Sequence, residues 1–572
     1  MGMMNTDTDL SDLLGVAGVS GATTSEVTPS DAMAVAAAAS GGVSHDAASV
    51  VDQLANWTPA IRSADAEILP EKGRLDARAR DTLRNDAYVA GGATLHKDNI
   101  VGARYLLNAR PMTKIIFGKE DPVWETDFQE EVETLFTLWA ESPLNWCDAQ
   151  RVNTLTDMVR LAVGSHTATG EVLASAEWMP DDGRPFRTAA MMIDTDRLST
   201  PTVTSALFKN NIRNGVERDR RGAPIAYHIR NTHPNEGSFS LFEMGKSLSW
   251  RRVPARKPWG RPLILHIFEQ NRPDQSRGIS AMTAALGEMR MTKHFRKTEL
   301  QRAVIAATYA ASIESDLPAD AVLQMGGGDG DSATTAWIED YLGWVNDYQS
   351  SANRLHLGGA QIPVFVPGTH LKIQNPGAAS PAGDKFEASL LRHIATALNV
   401  SYEELSRDFT NTNYSSARAA MMLTWKAMQS RKKKVADTTA SFVYRLWLEE
   451  CVNYNLLETL KGRTVPAFYD GMNAEAYSHC DWIGAGRGQI DPLKETQASI
   501  LKIKAGLSTK EAEIAQLSGG DWRRNARQIQ RELELDRKLN IPSIYDQTDT
   551  QDQQNALSGT KREPKEGQAD GE

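Results

Sequence analysis

Ser401-Tyr-Glu-Glu-Leu-Ser-Arg-Asp-Phe-Thr-Asn-Thr-Asn-Tyr-Ser-Ser-Ala-Arg418 is the stretch on which the reading of this chain turns. A helical pattern stops before it, at Asn399, and another starts inside it, near Ser415. Between them Asp408 to Asn413 make a short, mostly polar loop. A loop held between two helices is presented at a fixed place, and loops carry function more often than the scaffold that holds them.

The flanking segments are helical by pattern. Asp384 to Leu398 carries Phe386, Leu390, Leu391, Ile394 and Leu398 on one side. A longer helix runs from about Ser416 towards Val452 and contains the basic run Arg431-Lys-Lys-Lys434. Further upstream, Ile279 to about Ala303 is helical, with Met282, Leu286 and Met289 marking its apolar face. Arg290, Lys293 and Lys297 fall on one stripe of it, at three- and four-residue spacing. Such a stripe is a solvated face, or it meets a polyanion or an acidic neighbour. Residues 306 to 375 differ: they are acidic, turn at Gly326-Gly-Gly-Asp-Gly-Asp-Ser332, and suggest short strands at Gln361–Val366 and His370–Ile373.

The first half mixes helix and strand. Leu75–Tyr88, Phe128–Trp139 and Leu155–Val163 read as helices. Glu171–Trp178, two strands around Arg220-Arg-Gly222, and Ile264–Phe268 read as β structure. Asp491 to Leu539 reads as several short helices broken at Ser518-Gly-Gly520. Residues 1 to about 55, and those from about Tyr545 onward, have too few large apolar side chains to offset the entropy of ordering, and flexibility is expected there.

The bulk numbers narrow the class. A chain of 572 residues exceeds one core, so roughly three to five structural units are expected. Charged residues make up 24% and hydrophobic ones 41%, an ordinary globular balance. The net charge is −10, whereas a protein that grips nucleic acid usually shows a basic excess. Either nucleic acid is no partner, or it must slide past without sticking. Cys147, Cys451 and Cys480 are far apart and lack metal-ligand spacing, which fits a reducing compartment. No apolar run approaches the ~20 residues that span a bilayer, and no basic signal region opens the chain, so a soluble protein without a membrane partner is expected.

Catalytic signatures are missing from the sequence. There is no G-x-x-x-x-G-K-[ST] cradle for ATP, no H-E-x-x-H, no paired C-x-x-C and no G-x-S-x-G. Asp329-Gly-Asp331 lacks the further oxygen ligands and late Glu of a calcium loop. Asp181-Asp182 before Gly183 is turn chemistry. His228, His266 and His393 lie in apolar patterns and read as core histidines. Neither a cofactor nor a metal is expected.

Several blocks, in order, resemble the lambda-type phage portal family. They are Asp76–Asp86 (an N-terminal helix), His96–Gly102 (a strand entry), Gly170-Glu-Val172, Gly215–Asp219 with Ala226-Tyr-His228 (a hairpin), Leu265–Phe268 with Arg272–Gly278 (the entry to a stem helix), and Tyr414–Arg418 (the helix after a tunnel loop). The chain departs from the family pattern at Ala103-Arg104 and in the Gly-rich insert at 326–332.

The resemblance implies an α+β, portal-like fold: an α/β wing, a two-helix stem, a small α/β clip and a helical C-terminal crown, assembled as a ring of usually about twelve subunits. On this sequence the wing would take 56–278, after a flexible segment 1–55. The first stem helix would be 279–303, the clip 304–375, the second stem helix 376–405 and the tunnel loop 406–414. Residues 415–485 would hold the long helix and the wing return, 486–544 the crown, and 545–572 a disordered tail. The same resemblance implies a conduit at one capsid vertex through which double-stranded DNA is packaged and ejected. Its partners would be terminase, the major capsid or scaffold protein, and head-completion or tail connector proteins; the setting would be the virion, and the host cytoplasm during assembly.

In that reading Thr410, Asn411, Thr412 and Asn413 touch phosphates briefly, without forming an ionic trap. Arg290, Lys293, Lys297, Arg431, Lys432, Lys433 and Lys434 are candidates to guide the duplex. No ATP site is needed, because terminase supplies the motor in this family. The competing reading is a DNA-processing enzyme, a metal-dependent nuclease or terminase-like protein with a dispersed site.

Overall fold

Asp86 sets the first turn of the architecture. In the computed structural model, which describes residues 56–180, 182–201, 211–234, 249–309, 381–410, 412–489, 491–542, 545 and a few between 340 and 361, helix α1 (Ala64–Asn85) stops one residue before it. The Asp86 carboxylate accepts from the Tyr88 and Val89 amides and starts α2 (Ala87–Ile100). Val89, Ala93, His96 and Ile100 then fall on one buried face at helical spacing. This corrects the expectation of a strand entry at His96: the helix runs through it, and β1 (Leu106–Ala109) begins only after Gly102.

The chain divides into two units, Met1–Ser63 and Ala64–Glu572, and every described element lies in the second. β1 pairs antiparallel with β11 (Cys480–Ile483), Leu106 opposite Ile483, so segments far apart in sequence close on each other. Between them lie a three-stranded sheet ordered β3 (Thr188–Ile193), β2 (Glu171–Trp178), β8 (Ile264–Phe268), and a four-stranded sheet of β4 (Asn211–Arg213), β5 (Val216–Arg218), β6 (Pro224–Arg230) and β7 (Trp250–Pro254). The expected hairpin about Arg220–Gly222 is the β5–β6 pair, irregular at Glu217/Arg218.

The core is aromatic. Helix α4 (Pro122–Ala140) brings Phe136 and Trp139 against Tyr444 and Trp447 of α10 (Thr438–Asn453) and Trp482 of β11, while Phe128 meets Tyr477. Trp139 and Trp447 stack with centroids 6.1 Å apart, and Phe136 meets Trp447 edge-on at 5.2 Å. α10 is buried nearly all round, as a helix through a core must be. Each such ring contributes roughly 1.5–3 kcal/mol on burial.

Beyond β8 a one-turn 3₁₀ segment (Ala281–Ala285), capped by Ser280, leads into α6 (Leu286–Tyr309), close to the expected stem helix. α6 lies beside α7 (Pro381–Leu398), with Phe295 edge-on to Phe386 at 5.4 Å and Arg296 3.1 Å from Glu387. The segment 376–405, expected as one stem helix, breaks: Asn399 turns left-handed (φ 55°), and Ser401 caps a separate short helix, α8 (Tyr402–Ser406).

Of the expected 304–375 segment, the described part is the end of α6 and two antiparallel bridging pairs, Ala360 with Leu357 and Gln361 with His356. The Gly326–Ser332 turn, the rest of the Gln361–Val366 strand and His370–Ile373 lie outside the described residues. The C-terminal part is helical as expected: α12 (Pro492–Lys504), α13 (Lys510–Ser518), ended by left-handed Gly519, and α14 (Trp522–Leu539). Among the described residues no helix is long and apolar enough to cross a membrane.

Candidate functional site

The loop between α8 and α9 (Tyr414–Arg431) is held at both ends by side chains that the sequence supplies locally. At the entry, Ser401 and Glu404 form a reciprocal capping box. The Glu404 carboxylate also accepts from the Thr424 hydroxyl at 2.6 Å, which fastens α8 to the middle of α9. Arg407 ends α8 in the left-handed region, φ 57°. The Asp408 carboxylate then accepts from the Thr410 amide at 3.0 Å and the Thr410 hydroxyl at 2.6 Å, a side-chain turn. At the exit, Asn413 caps α9 and pairs reciprocally with Ser416.

These bonds sort the four loop candidates. Thr410 is exposed, with its hydroxyl on Asp408; Thr412 is half-buried; Asn411 lies outside the described residues. The Asn413 side-chain oxygen is committed to the helix cap. Phe409, 52% exposed, is the one large apolar side chain between Ser406 and Asn413.

The basic candidates also divide. Arg290 and Lys297 are exposed and Lys293 half-buried along α6; none is in an ion pair among the described residues. The run Arg431–Lys434 falls where the long helix changes pitch, at a π-helical turn over Lys432–Asp437. Arg431 turns inward and donates to His96 Nδ1 at 2.8 Å. Lys432 reaches Asp437 and the Trp482 carbonyl, both at 2.8 Å. Lys433 is exposed, 3.7 Å from Asp437, and Lys434 is exposed.

The root of the loop is tied to the rest of the unit through His96. Its Nε2–H donates to the Leu398 carbonyl, the last residue of α7, at 2.9 Å, while Nδ1 accepts from Arg431. An arginine only donates and a carbonyl only accepts, so these partners fix the neutral tautomer. Burial, with the Arg431 charge added, pushes His96 down to about 3. His166 of α5 (Leu155–Thr169) is also buried, makes no hydrogen bond among the described residues, and is pushed by burial and Arg431 down to about 4.

A second tie fixes the segment that leads into α6. Full burial would raise the Glu171 carboxyl, but the Arg277 and Lys72 charges outweigh it and hold it well below the usual range. Arg277 also donates to the Leu198, Asn214 and Thr195 carbonyls. Lys72 Nζ donates to the Gly278 carbonyl at 2.8 Å and lies 3.0 Å from Asp76, whose carboxyl burial pushes up to about 6. Gly170 and Gly278 cross where a Cβ on Gly278 would stand 2.3 Å from the Gly170 oxygen.

The lambda-family phage portal protein model matches residues 51–432, two-thirds of the chain. The chain belongs to that family. It is 34% identical over 483 residues to the portal protein of Escherichia phage N15, covering 84% of this chain and 88% of that one. With portal protein B of Escherichia phage lambda it shares 35% over 471 residues, 82% and 85% of the two chains. Among solved structures, a chain from the virion of a native gene transfer agent particle aligns over 77% of this chain and 91% of its own, at 13% identity and a TM-score of 0.37. The function that goes with this family is that of a portal at a capsid vertex.

Within this family member, two features escape sequence reasoning. His96 and His166 sit on helical faces that look like ordinary core, and nothing in the sequence announces that Arg431 comes between them. The π turn leaves no signature in residue spacing either. In the other direction, His393, read as a core histidine, is exposed on α7; the stripe that α7 buries is Leu391, Ile394, Ala395 and Leu398. His228 and His266 are buried, beside Glu217 and Glu171 respectively. Burial raises the thiols of Cys147, Cys451 and Cys480, the last to about 12, so all three are inert as nucleophiles at neutral pH. Asp194, Asp196 and His233 come close enough to hold a cation, but Arg80 pairs with both carboxylates and already supplies their countercharge.

Proposed function

We propose that this chain is one subunit of a closed ring at a capsid vertex, with the 407–413 loop lining the duct through which double-stranded DNA passes. The observation that carries the reading is the mounting of the loop. Both ends are helix caps closed by their own side chains, and Glu404–Thr424 fastens one flanking helix to the other. Between the caps stand hydroxyls and amides with one cation, Arg407, and one anion, Asp408. Such a surface touches phosphates without the counterion release that drives tight binding.

The charge of the whole chain supports sliding over gripping: at −10 per copy, a ring of about twelve carries on the order of −120. Arg290, Lys293, Lys297, Lys433 and Lys434 remain placed to guide a duplex. Arg431 and Lys432 serve the interior of their own subunit.

The same reading divides the chain into a wing (56–278, returning after 415), a stem built on α6 and α7, a clip over 304–375 and a crown over 486–544. The β1–β11 pairing supports the return of the chain to the wing. The clip would meet terminase during packaging, and head-completion or tail proteins afterwards; the wing would meet capsid or scaffold protein. No catalytic step is assigned to this chain. Its most deeply buried carboxylate, Glu171, is tied to Arg277 and Lys72.

Electron microscopy of the purified chain tests the ring directly, as particles with a central hole. Thr410→Asp with Thr412→Asp should leave the particles intact and lower the amount of DNA packaged or retained. Loss of assembly in that variant would instead make the loop structural. Mg²⁺-dependent cleavage of DNA, abolished by replacing a single carboxylate, would favour the nuclease reading.

A further inference from the structure

Helix α14 is the most sharply two-sided helix among the described residues. None of its residues is buried. Its first turns are tied down: Lys510 lies over the Trp522 ring at 5.8 Å, and Arg527 pairs with Glu130 of α4 at 2.8 Å. Beyond Arg527 the helix runs on for three turns, with Leu535 and Leu539 more than half exposed.

The two sides of the helix differ in charge. Trp522, Ala526, Ile529 and Leu533 follow each other at i, i+4, i+7 and i+11, which makes one apolar stripe. On one flank of that stripe lie Glu532 and Asp536, one turn apart; Glu532 keeps its charge while accepting from Gln528 of its own helix at 2.9 Å and from the Tyr545 hydroxyl at 2.7 Å. On the other lie Arg523 and Arg527, one turn apart, and Arg537 further along the same side; Glu534, on that side too, is engaged by Gln530 of its own helix at 3.2 Å. The stripe itself is half-buried, and its acidic edge is complementary to the basic edge of a second copy set side by side.

We propose that α14 is a contact between subunits, in which the acidic flank of one copy docks on the basic flank of the same helix in the next. The inference rests on the ring reading given under Proposed function and adds a polarity to it. A cyclic assembly uses two different patches per chain, joined head to tail, and the two flanks of one helix provide both. Any other partner, acidic or basic, would match one flank and leave the other unpaired.

Charge reversal tests this. One variant carries Glu532→Lys and Asp536→Lys, the other Arg523→Glu and Arg537→Glu. Each alone should need about tenfold more chain for half-assembly, read by light scattering and electron microscopy. Mixed in equal amounts they should assemble like the unaltered chain, because every acidic flank then finds a basic one by alternation. Unimpaired assembly of each variant alone overturns the proposal while leaving the ring intact, and so does failure of the mixture to recover when both keep their helical circular dichroism. If a reversal variant loses that dichroism, the size-preserving pair Glu532→Gln and Asp536→Asn takes its place. Its rings should dissociate at lower salt, and an unchanged midpoint overturns the contact. Absence of rings from the unaltered chain removes the ring reading and this contact together.

Discussion

Arg277 closes a two-bond fork on Glu171, with Nε on one carboxylate oxygen and Nη2 on the other, both at 2.8 Å and both fully out of solvent. The pair joins the first residue of β2 to the segment that leads into α6, and Lys72 brings α1 to the same carboxylate at 3.4 Å. The β2 sheet, α1 and the segment leading into α6 therefore share one charged centre.

Breaking that centre from one side leaves an uncompensated buried charge. Arg277→Met is expected to cost about 3–5 kcal/mol of unfolding free energy, measured by urea titration. Arg277→Lys should recover only part of it, because a lysine cannot make the fork. A loss under 1 kcal/mol for Arg277→Met would show that the pair is not a fastening of the fold.

Gly278 tests how closely the segment before α6 crosses the start of β2. An alanine there puts Cβ 2.3 Å from the Gly170 oxygen, a backbone atom that cannot swing aside. Gly278→Ala is expected to lower the unfolding free energy by at least ~2 kcal/mol. Gly73→Ala in α1, where a Cβ meets nothing within 4 Å, should stabilise by about 0.5–1 kcal/mol. Equal effects at the two positions would contradict the crossing.

The Asn413 cap is expected to matter for order rather than for DNA. Asn413→Ala should cost about 1 kcal/mol and Asn413→Asp almost nothing, since aspartate caps as well as asparagine. Hydrogen exchange of the first α9 amides, Ser416 above all, reads the difference. Unchanged exchange at Ser416 in the alanine variant would remove the cap.

Stability should fall with acid in a window set by His96 and His166. Both are pushed down in the folded chain, to about 3 and about 4, from an ordinary value of 6.5. Below pH 6.5 the unfolded chain takes up these protons and the folded chain does not. Each group therefore removes up to about 1.4 kcal/mol per pH unit as pH falls towards its folded value. Asp76, raised to about 6 from 3.8, acts in the opposite sense, because the folded chain takes up its proton first. Counting these three groups alone, the net slope between pH 6 and 4 is that of about one histidine. His96→Gln, which can donate to Leu398 and accept from Arg431, should flatten the decline between pH 6.5 and 5 in denaturant titrations. An unaltered slope would mean that His96 is not the group.

The sequence by itself determined most of the long helices, the strands β2, β5, β6 and β8, and the place of the loop. Apolar spacing marked α4, α5 and α7, and short-range chemistry ended them: Asn399 after α7, Ser401 with Glu404 and Asn413 with Ser416 around the loop, Gly519 after α13. Those signals act over three or four residues, so they survive in a linear reading. Asp86 is of the same kind, and it overrode the expected strand at His96.

Tertiary structure alone decided which charges remain outside. Arg431 and Lys432 sit in a run of four cations that looks solvent-facing on paper. The π turn at Lys432–Asp437 adds a residue to the helical pitch and brings Lys432 and Asp437, five apart, within 2.8 Å. Arg431 then finds His96, and His96 finds Leu398, across 335 and 302 residues of chain. No local pattern encodes such partners: a charge or an imidazole turns inward only when distant segments supply the acceptor and the low-dielectric wall together.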